Sequence, residues 1–227
     1  MKNTIITIDG HSGCGKSTLA KSLAVKLKYL YIDTGAMYRA ISLFFLRSNL
    51  IKNGELKDGC LDSMKDVKID FSIPNSNGKS FVRLNSEIVE EDIRGIEISN
   101  LVSQVSKNRF VREKMVSIQK SYGRENNLVM DGRDIGSVVF PNADLKFWLT
   151  ASVETRAYRR WLEFKDKGQD ILIEKVIENI NFRDENDKSR KESPLIKPIN
   201  SIEIDSTNIS AQETFLQALK IIKKKLK

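Results

Sequence analysis

The chain has 227 residues, of which 40% are hydrophobic and 30% are charged. This length and composition predict a folded protein with one full-sized core and exclude a disordered or fibrous chain. The net charge of +8 favours an anionic partner, although charge alone does not distinguish a nucleic acid, an acidic membrane surface and a polyphosphate.

Targeting signals and membrane spans are not evident in the sequence. The longest apolar run, at 40–46, is far shorter than a membrane span, and the apolar stretch at the N-terminus is too short for a signal peptide. Cys14 and Cys60 lie far apart in no metal-binding spacing, which fits reduced thiols. We therefore expect a cytoplasmic protein that does not bind membranes.

Short apolar runs alternate with helical patterns along most of the chain. Five runs have the character of strands, and they are 4–9, 30–33, 128–131, 145–150 and 201–205. A helix is expected from about Lys16, another helix at about 98–121, and a last helix that opens with the capping pair Ser210 and Glu213. Strands separated by helices predict a parallel sheet with helices on both faces.

The middle of the chain has a different pattern. Residues 67–72 and 79–85 alternate between apolar and polar side chains, and Asn77-Gly78 between them is a strong hairpin-turn signal. We interpret 60–95 as a small inserted lobe, with 1–59 and 96–227 forming the core of a single structural unit.

A glycine-rich segment follows the first predicted strand. Residues 10–17 read GHSGCGKS and match the phosphate-binding pattern GxxxxGK[ST] in full, between a strand and a helix. Backbone N–H groups in such a loop surround phosphates, Lys16 is expected to reach the β- and γ-phosphates of ATP, and Ser17 is expected to bind Mg²⁺. The residues predicted to bind ATP are Gly10, His11, Ser12, Gly13, Cys14, Gly15, Lys16, Ser17 and Thr18. His11, the only histidine, is interpreted as a variable position rather than an acid or base.

Arginines follow several predicted strands, at the edge where a parallel sheet binds ligands. They are Arg39, Arg133, Arg156, Arg159 and Arg160. The last three share one helix face, and a second face is expected to carry Arg183, Asp187 and Arg190. Transfer of a phosphoryl group between two polyanions requires such charges. The joint pattern predicts a kinase with a phosphorylated acceptor, although each cluster alone could be a solvated face and Arg39 could simply pair with Asp33.

Asp131 ends the predicted strand 128–131. An acid near the magnesium ion occupies this position in nucleotide-binding proteins with this loop. The alternative is an aspartate that caps the following turn.

Longer motifs resemble bacterial cytidylate kinases. The motifs are ITIDGHSGCGKST at 6–18, DTGAMYR at 33–39, SQVS at 103–106 with VR at 111–112, and DGRDIGSVVFP at 131–141. The motifs at 33–39 and 131–141 are the specific ones. The resemblance runs from about Ile5 to the C-terminus. It implies a three-layer α/β/α P-loop fold with a five-stranded parallel sheet, a small inserted lobe that binds the nucleoside monophosphate, and a helical lid at about 152–190. It also implies transfer of the γ-phosphoryl group of ATP to CMP or dCMP.

The resemblance further implies roles for individual residues. The implied catalytic residues are Lys16, Arg133, Arg156, Arg159 and Arg160, of which the last three would close over the ATP phosphates. The implied acceptor residues are Arg39, Arg133 and Arg190 for the phosphate, Ser103, Arg112 and Asp134 for cytosine, Arg183 and Asp187 for the sugar, and Thr34. Ser17 and Asp131 would hold Mg²⁺.

The sequence departs from this family at three positions. Many relatives have proline at the position of His11, a small residue at that of Cys14 and arginine at that of Lys188. The first two departures should not disturb binding through the backbone, and the third puts one lid contact in doubt.

Three other functions stay open from the sequence. One is a related kinase for UMP, AMP, dTMP or a small alcohol; another is a P-loop ATPase stimulated by nucleic acid, which the net charge suggests; the third is a non-catalytic nucleotide sensor. The basic residues show no interleaved aromatic residues for base stacking, which disfavours the second function. Lys16, Ser17 and Asp131 together disfavour the third. The expected partners are ATP and CMP or dCMP, without nucleic acid, and the expected state is a monomer.

Overall fold

The computed structural model describes residues 3–52, 55–57, 59–72, 81–166 and 168–226. Within these residues, the chain divides into two compact units. The first comprises Met1–Tyr31 and Asn126–Lys227, and the second comprises Ile32–Glu125. The sequence-based boundaries at 60 and 95 do not coincide with this division, and the inserted lobe stays a prediction.

The described residues form ten strands and eight α-helices. The strands are β1 (Ile5–Gly10), β2 (Leu30–Asp33), β3 (Ile51–Lys52), β4 (Glu55–Leu56), β5 (Ile69–Phe71), β6 (Val82–Leu84), β7 (Glu87–Ile88), β8 (Leu128–Gly132), β9 (Leu145–Thr150) and β10 (Ile202–Asp205). The helices are α1 (Lys16–Leu27), α2 (Thr34–Arg47), α3 (Cys60–Ser63), α4 (Ile96–Val105), α5 (Arg109–Glu125), α6 (Val153–Asp166), α7 (Ile173–Lys188) and α8 (Ala211–Lys225). Within the described part of the chain, none of the helices combines the length and the apolar character that crossing a membrane requires.

A five-stranded parallel sheet organises the first unit, in the order β10-β9-β1-β8-β2. All five of its strands match predicted runs to within one residue. Ile6 and Ile8 of β1, and Phe147 of β9, are fully buried, as expected for strands covered on both faces. Leu23 of α1 and Ala218 of α8 pack into the same apolar cluster. The central strand β1 therefore leads directly from the core into the glycine-rich loop.

The second unit combines helices with antiparallel strands. β5, β6 and β7 form a three-stranded antiparallel sheet, and β3 pairs with β4. The antiparallel pairing predicted for 67–72 and 79–85 is thereby confirmed, since β5 and β6 fall within these two segments. The predicted Asn77-Gly78 turn lies outside the described residues.

The prediction of a single helix at 98–121 is wrong, because two helices, α4 and α5, occupy this region. They are separated at 106–108. The side-chain oxygen of Asn108 accepts hydrogen bonds from the backbone N–H groups of Phe110 at 3.0 Å and Val111 at 3.2 Å. Such a cap satisfies N–H groups that have no partner within the helix. Asn108 therefore starts a new helix within an otherwise continuous helical pattern.

Candidate active site

The loop between β1 and α1 has a backbone that only glycine accommodates at several positions. Gly13 and Gly15 have φ angles of +78° and +91°, in the region that L-residues rarely adopt. At Gly10, an added Cβ atom would lie 2.0 Å from the Leu149 carbonyl oxygen of β9. The glycines therefore allow the loop to curl closely over the C-terminal ends of the central strands.

Lys16 begins α1, and its side chain is buried. Its Nζ atom donates to the carbonyl oxygen of His11 at 2.6 Å, so the side chain folds back over the loop. Burial and the charge of Arg133 lower the pKa of Lys16 from its ordinary value. Two cations placed close enough to repel each other are stabilised by an anion, so this arrangement suits a phosphate.

Asp131 lies next to the start of α1. Ser17 donates its hydroxyl to Asp131 Oδ2 at 2.9 Å, and Tyr31 donates its hydroxyl to Oδ1 at 2.8 Å. A hydroxyl and a carboxylate are the kinds of oxygen ligand that Mg²⁺ takes from proteins, usually few in number beside substrate phosphates and water. The residues present therefore fit the ion. The hydrogen bond from Tyr31 was not predicted, because nothing in a strand sequence marks which residue its hydroxyl will reach.

Asp9 is a buried acid that sequence reasoning missed. Its two carboxylate oxygens accept the backbone N–H groups of Ile135 and Gly136, each at 2.7 Å. Burial raises the pKa of Asp9 to about 7, although the two hydrogen bonds act in the opposite direction. These bonds hold the π-helical turn Ile135–Val139, which directly follows Arg133 and Asp134. The sequence did carry a signal for Asp9, because a charged residue stands within a predicted strand of the parallel sheet.

Arg133 and Arg190 meet at one carboxylate in the first unit. Arg133 Nε donates to Asp187 Oδ2 at 2.7 Å, and Arg190 forms an ion pair with Asp187 Oδ1. The prediction that Arg190 lies on one helix face with Arg183 and Asp187 is wrong, because α7 ends at Lys188. Ser189 closes that helix with a bond to the carbonyl of Glu185, and the chain then turns Arg190 back towards Asp187.

The three arginines of α6 have different surroundings. Arg156 is buried, and its guanidinium contacts Ala151, Ser12 and Asp184. Arg159 donates to the hydroxyl of Ser206 at 3.1 Å and to its carbonyl at 2.6 Å. Arg160 pairs with Glu163 of the same helix at 2.6 Å, near the surface. The shared helical spacing therefore does not give these side chains a shared environment.

Asp184 and Ser206 were also absent from the predicted site. Ser206 immediately follows β10, so the rule that ligand-binding residues lie at strand ends could have indicated it. Asp184 stands in the charged run FRDENDKSR, where no periodicity separates a buried acid from solvated ones.

The second unit holds four of the predicted acceptor residues. Thr34 opens α2 and is buried, Arg39 lies on the same helix and Ser103 lies on α4. Arg112 of α5 is buried, donates to the Ser106 carbonyl at 3.2 Å and places its guanidinium 5.4 Å from the ring centre of Tyr38.

Asp33 has a structural role at the start of α2. It accepts the backbone N–H of Ala36 at 3.0 Å and lies 3.6 Å from Arg94. This cap explains why the helix begins at Thr34, because the carboxylate satisfies an N–H group of the first turn.

Comparisons with known proteins agree over almost the whole chain. A family model described as cytidylate kinase matches residues 6–224. A cytidylate kinase of Flavobacterium johnsoniae is 44% identical over 223 residues, which cover 98% of this chain and 97% of that protein. A cytidylate kinase of Bacteroides fragilis is 44% identical over 217 residues, covering 94% and 93%. Among solved structures, an uncharacterized protein from Eubacterium ventriosum has a TM-score of 0.53 at 11% identity, covering 98% of this chain and 99% of that one, which shows a similar fold.

Proposed function

Because the chain belongs to the cytidylate kinase family, we propose that it transfers the γ-phosphoryl group of ATP to CMP or dCMP, giving ADP and CDP or dCDP. It is a nucleoside monophosphate kinase with a P-loop. The observation that carries the proposal is the loop at 10–17, which fits phosphate through its glycines and places the buried Lys16 within the electrostatic reach of Arg133. That arrangement lies in a chain that matches the family model over residues 6–224.

The reaction needs positioning and charge neutralisation more than covalent chemistry. The acceptor phosphate oxygen is already ionised, so no general base is required. Backbone N–H groups of the loop and Lys16 would bind the ATP phosphates, while Arg133 would neutralise charge between the two nucleotides. Fixed cations stabilise the transferring group because they need no rearrangement when its charge develops.

We propose Ser17 and Asp131 as the protein ligands of Mg²⁺. Support comes from the distance of 2.9 Å between the hydroxyl and the carboxylate oxygens. When bound, the ion would neutralise charge on the β- and γ-phosphates. Tyr31 would keep the Asp131 carboxylate in place through its own hydrogen bond.

The acceptor roles follow the family resemblance residue by residue. Thr34 and Arg39, with Arg133 and Arg190, are proposed for the monophosphate end, and Arg183 and Asp187 are proposed for the sugar. Support comes from Asp187, which holds both Arg133 and Arg190. A carboxylate that fixes two guanidinium groups reduces the entropy lost when they bind a phosphate.

Cytosine selectivity is proposed for Ser103, Arg112 and Asp134. A carboxylate accepts from the cytosine amino group, and an arginine donates to the ring acceptors. Support comes from the guanidinium of Arg112, which is already oriented by the Ser106 carbonyl and the Tyr38 ring. Uracil places an oxygen where cytosine has its amino group, and an unpaired buried polar group costs about 1–3 kcal/mol.

We further propose that the protein acts in the cytoplasm as a monomer on free nucleotides rather than nucleic acids. The segment 60–95 would bind the monophosphate, and 152–190 would act as the lid. The net charge of +8 is in accord with two polyanionic substrates, because a positive field attracts them.

The proposal is tested by measuring ADP release in parallel with CMP, dCMP, UMP, AMP and dTMP, together with RNA and a reaction without acceptor. We expect rapid release with CMP and dCMP and a rate roughly ten- to a hundredfold lower with UMP. A rate of ADP release that does not depend on the monophosphate, or that increases with RNA, would contradict the proposal and favour the ATPase alternative.

A further inference from the structure

Helices α6 and α7 enclose a buried ion pair beside their apolar contact. Ala157 of α6 packs against Val176 and Ile180 of α7, and Arg156 Nη2 lies 2.7 Å from Asp184 Oδ2 on the same two helices. The side chains of Arg156 and Asp184 are only 4% and 11% exposed. A buried pair of this kind requires further hydrogen bonds to satisfy its remaining polar atoms.

One of those further contacts reaches the glycine-rich loop, and the other reaches the residue that follows β9. Arg156 Nη1 donates to the Ser12 carbonyl at 3.2 Å, and Nε donates to the Ala151 carbonyl at 3.0 Å. An added Cβ atom on Gly13 would lie 3.1 Å from the Arg156 carbonyl. Together with the ion pair to Asp184, all three guanidinium nitrogens of Arg156 therefore have partners within the first unit.

Two more contacts join the loop to side chains outside it. His11 Nδ1 lies 3.3 Å from Asp184 Oδ1, so three consecutive loop residues adjoin the Arg156–Asp184 pair. The Cys14 carbonyl accepts from the Ser206 hydroxyl at 3.1 Å, and Arg159 in turn donates to Ser206. A loop that turns its N–H groups towards phosphates must satisfy its carbonyl groups elsewhere.

We infer that Arg156 and Asp184 are positioning residues, which hold the phosphate loop in its ATP-binding shape from outside without contacting ATP. The inference rests on the proposed use of ATP by this chain and departs from the catalytic role predicted for Arg156. To reach a phosphate, Arg156 would have to break its ion pair with Asp184 Oδ2 and its hydrogen bond to the Ser12 carbonyl, which is strongly unfavourable for buried groups.

The two roles predict different kinetics. A loop that loses its external support binds ATP more weakly before any reaction begins, because the loop must then be ordered on binding. Loss of an arginine that acts only in the transition state lowers turnover and leaves ATP affinity unchanged. The affinity for CMP should not change under the positioning role, since neither Arg156 nor Asp184 is placed at the acceptor.

The first experiment compares Asp184→Asn with Glu185→Gln, its exposed neighbour on α7. A fluorescent ATP analogue is titrated without acceptor, and KM for CMP is measured separately. We expect Asp184→Asn to weaken ATP binding by about tenfold or more with KM for CMP within about twofold, and Glu185→Gln to match the parent protein. Unchanged ATP binding in folded Asp184→Asn overturns the inference.

A double variant keeps the test decisive if Asp184→Asn does not fold. Arg156→Met combined with Asp184→Leu removes both buried charges and continues the apolar contact between α6 and α7, a replacement that buried ion pairs tolerate. Urea unfolding checks that this variant is folded. We expect its ATP binding to be weakened as in the single variant, and binding as tight as that of the parent overturns the inference.

The parent protein separates this inference from the proposed function. Titration with the ATP analogue reports on the loop without any acceptor, whereas CMP-dependent ADP release reports on the reaction. If the parent binds ATP but releases no ADP with CMP, the proposed function fails. If Arg156→Met lowers turnover without weakening ATP binding, the positioning role fails while the proposed function stands.

Discussion

Arg133 connects the phosphate loop with the predicted acceptor residues of the first unit. Its charge acts on Lys16, and its Nε atom bonds to Asp187, which also holds Arg190. An arginine in this setting has a fixed direction before substrates bind. Its proposed contribution is therefore to the charge that develops during transfer and less to the initial capture of either nucleotide.

We predict that Arg133→Ala lowers CMP-dependent turnover by roughly 10³, the effect typical of an arginine that stabilises a transferring phosphoryl group. The measurement is kcat for ADP release at saturating ATP and CMP. Arg109→Ala is the matched control, because Arg109 is exposed and pairs with Glu113 on its own helix. Full turnover in purified Arg133→Ala would contradict the role.

The buried carboxylate of Asp184 leads to a prediction of how the stability of the fold depends on pH. Burial alone would raise the pKa of its carboxyl group, but His11 and Arg156 outweigh burial and lower the pKa to about 2. A depressed pKa stabilises the fold above the pKa of the unfolded chain, near pH 4, and the stabilisation is lost as the pH falls through the folded value. The depression corresponds to about 2 kcal/mol.

The free energy of unfolding of the parent and of Asp184→Asn should therefore be compared by urea titration from about pH 6 to about pH 2. We expect their difference to be constant above about pH 4 and to shrink by about 2 kcal/mol between pH 4 and pH 2. A difference that stays constant over this acidic range would show that Asp184 does not titrate as the ion pair requires.

Individual residues also show which parts of the candidate site could be predicted from the sequence. Ser17 and Lys16 could be placed because a full motif fixes both their spacing and their backbone context. Asp9 and Asp184 could not be placed, because their partners lie 126 and 28 residues away in sequence, at Ile135 and Arg156. Local patterns carry no information about which distant backbone group a buried carboxylate will meet.

At the scale of elements, the inner strands β1, β8 and β9 of the parallel sheet were predictable because both of their faces are largely buried. Burial on both faces leaves continuous apolar runs, and β2 and β9 occupy the predicted residues without any shift. The π-helical turn Ile135–Val139 was not predictable, since it depends on the carboxylate of Asp9. An element that depends on tertiary hydrogen bonds cannot be predicted from local sequence periodicity.

The break between α4 and α5 gives a test at this scale. We predict that Asn108→Ala lowers the free energy of unfolding by about 1 kcal/mol, the usual cost of losing an N-terminal cap. Asn108→Asp is the control, because its carboxylate can accept the same two N–H groups. If the aspartate variant loses as much stability as the alanine variant in urea unfolding, capping is not the reason for the break.

At the scale of the whole molecule, the net charge of +8 is in accord with the two polyanionic nucleotides proposed as substrates. The first unit carries the phosphate loop and five of the predicted acceptor residues, and the second carries Thr34, Arg39, Ser103 and Arg112. The fold class and the phosphate loop could be predicted from runs and motifs. The acceptor residues required the family resemblance, because arginine spacing alone does not separate a binding face from a solvated one.

The most direct test of phosphoryl transfer to a cytidine nucleotide follows the phosphorus atom itself. The protein is incubated with CMP and with ATP that carries radioactive phosphorus at its γ position, and the products are separated. We predict that the label appears in CDP in a one-to-one ratio with the ADP formed. Label released as inorganic phosphate at the same rate with and without CMP would contradict the account.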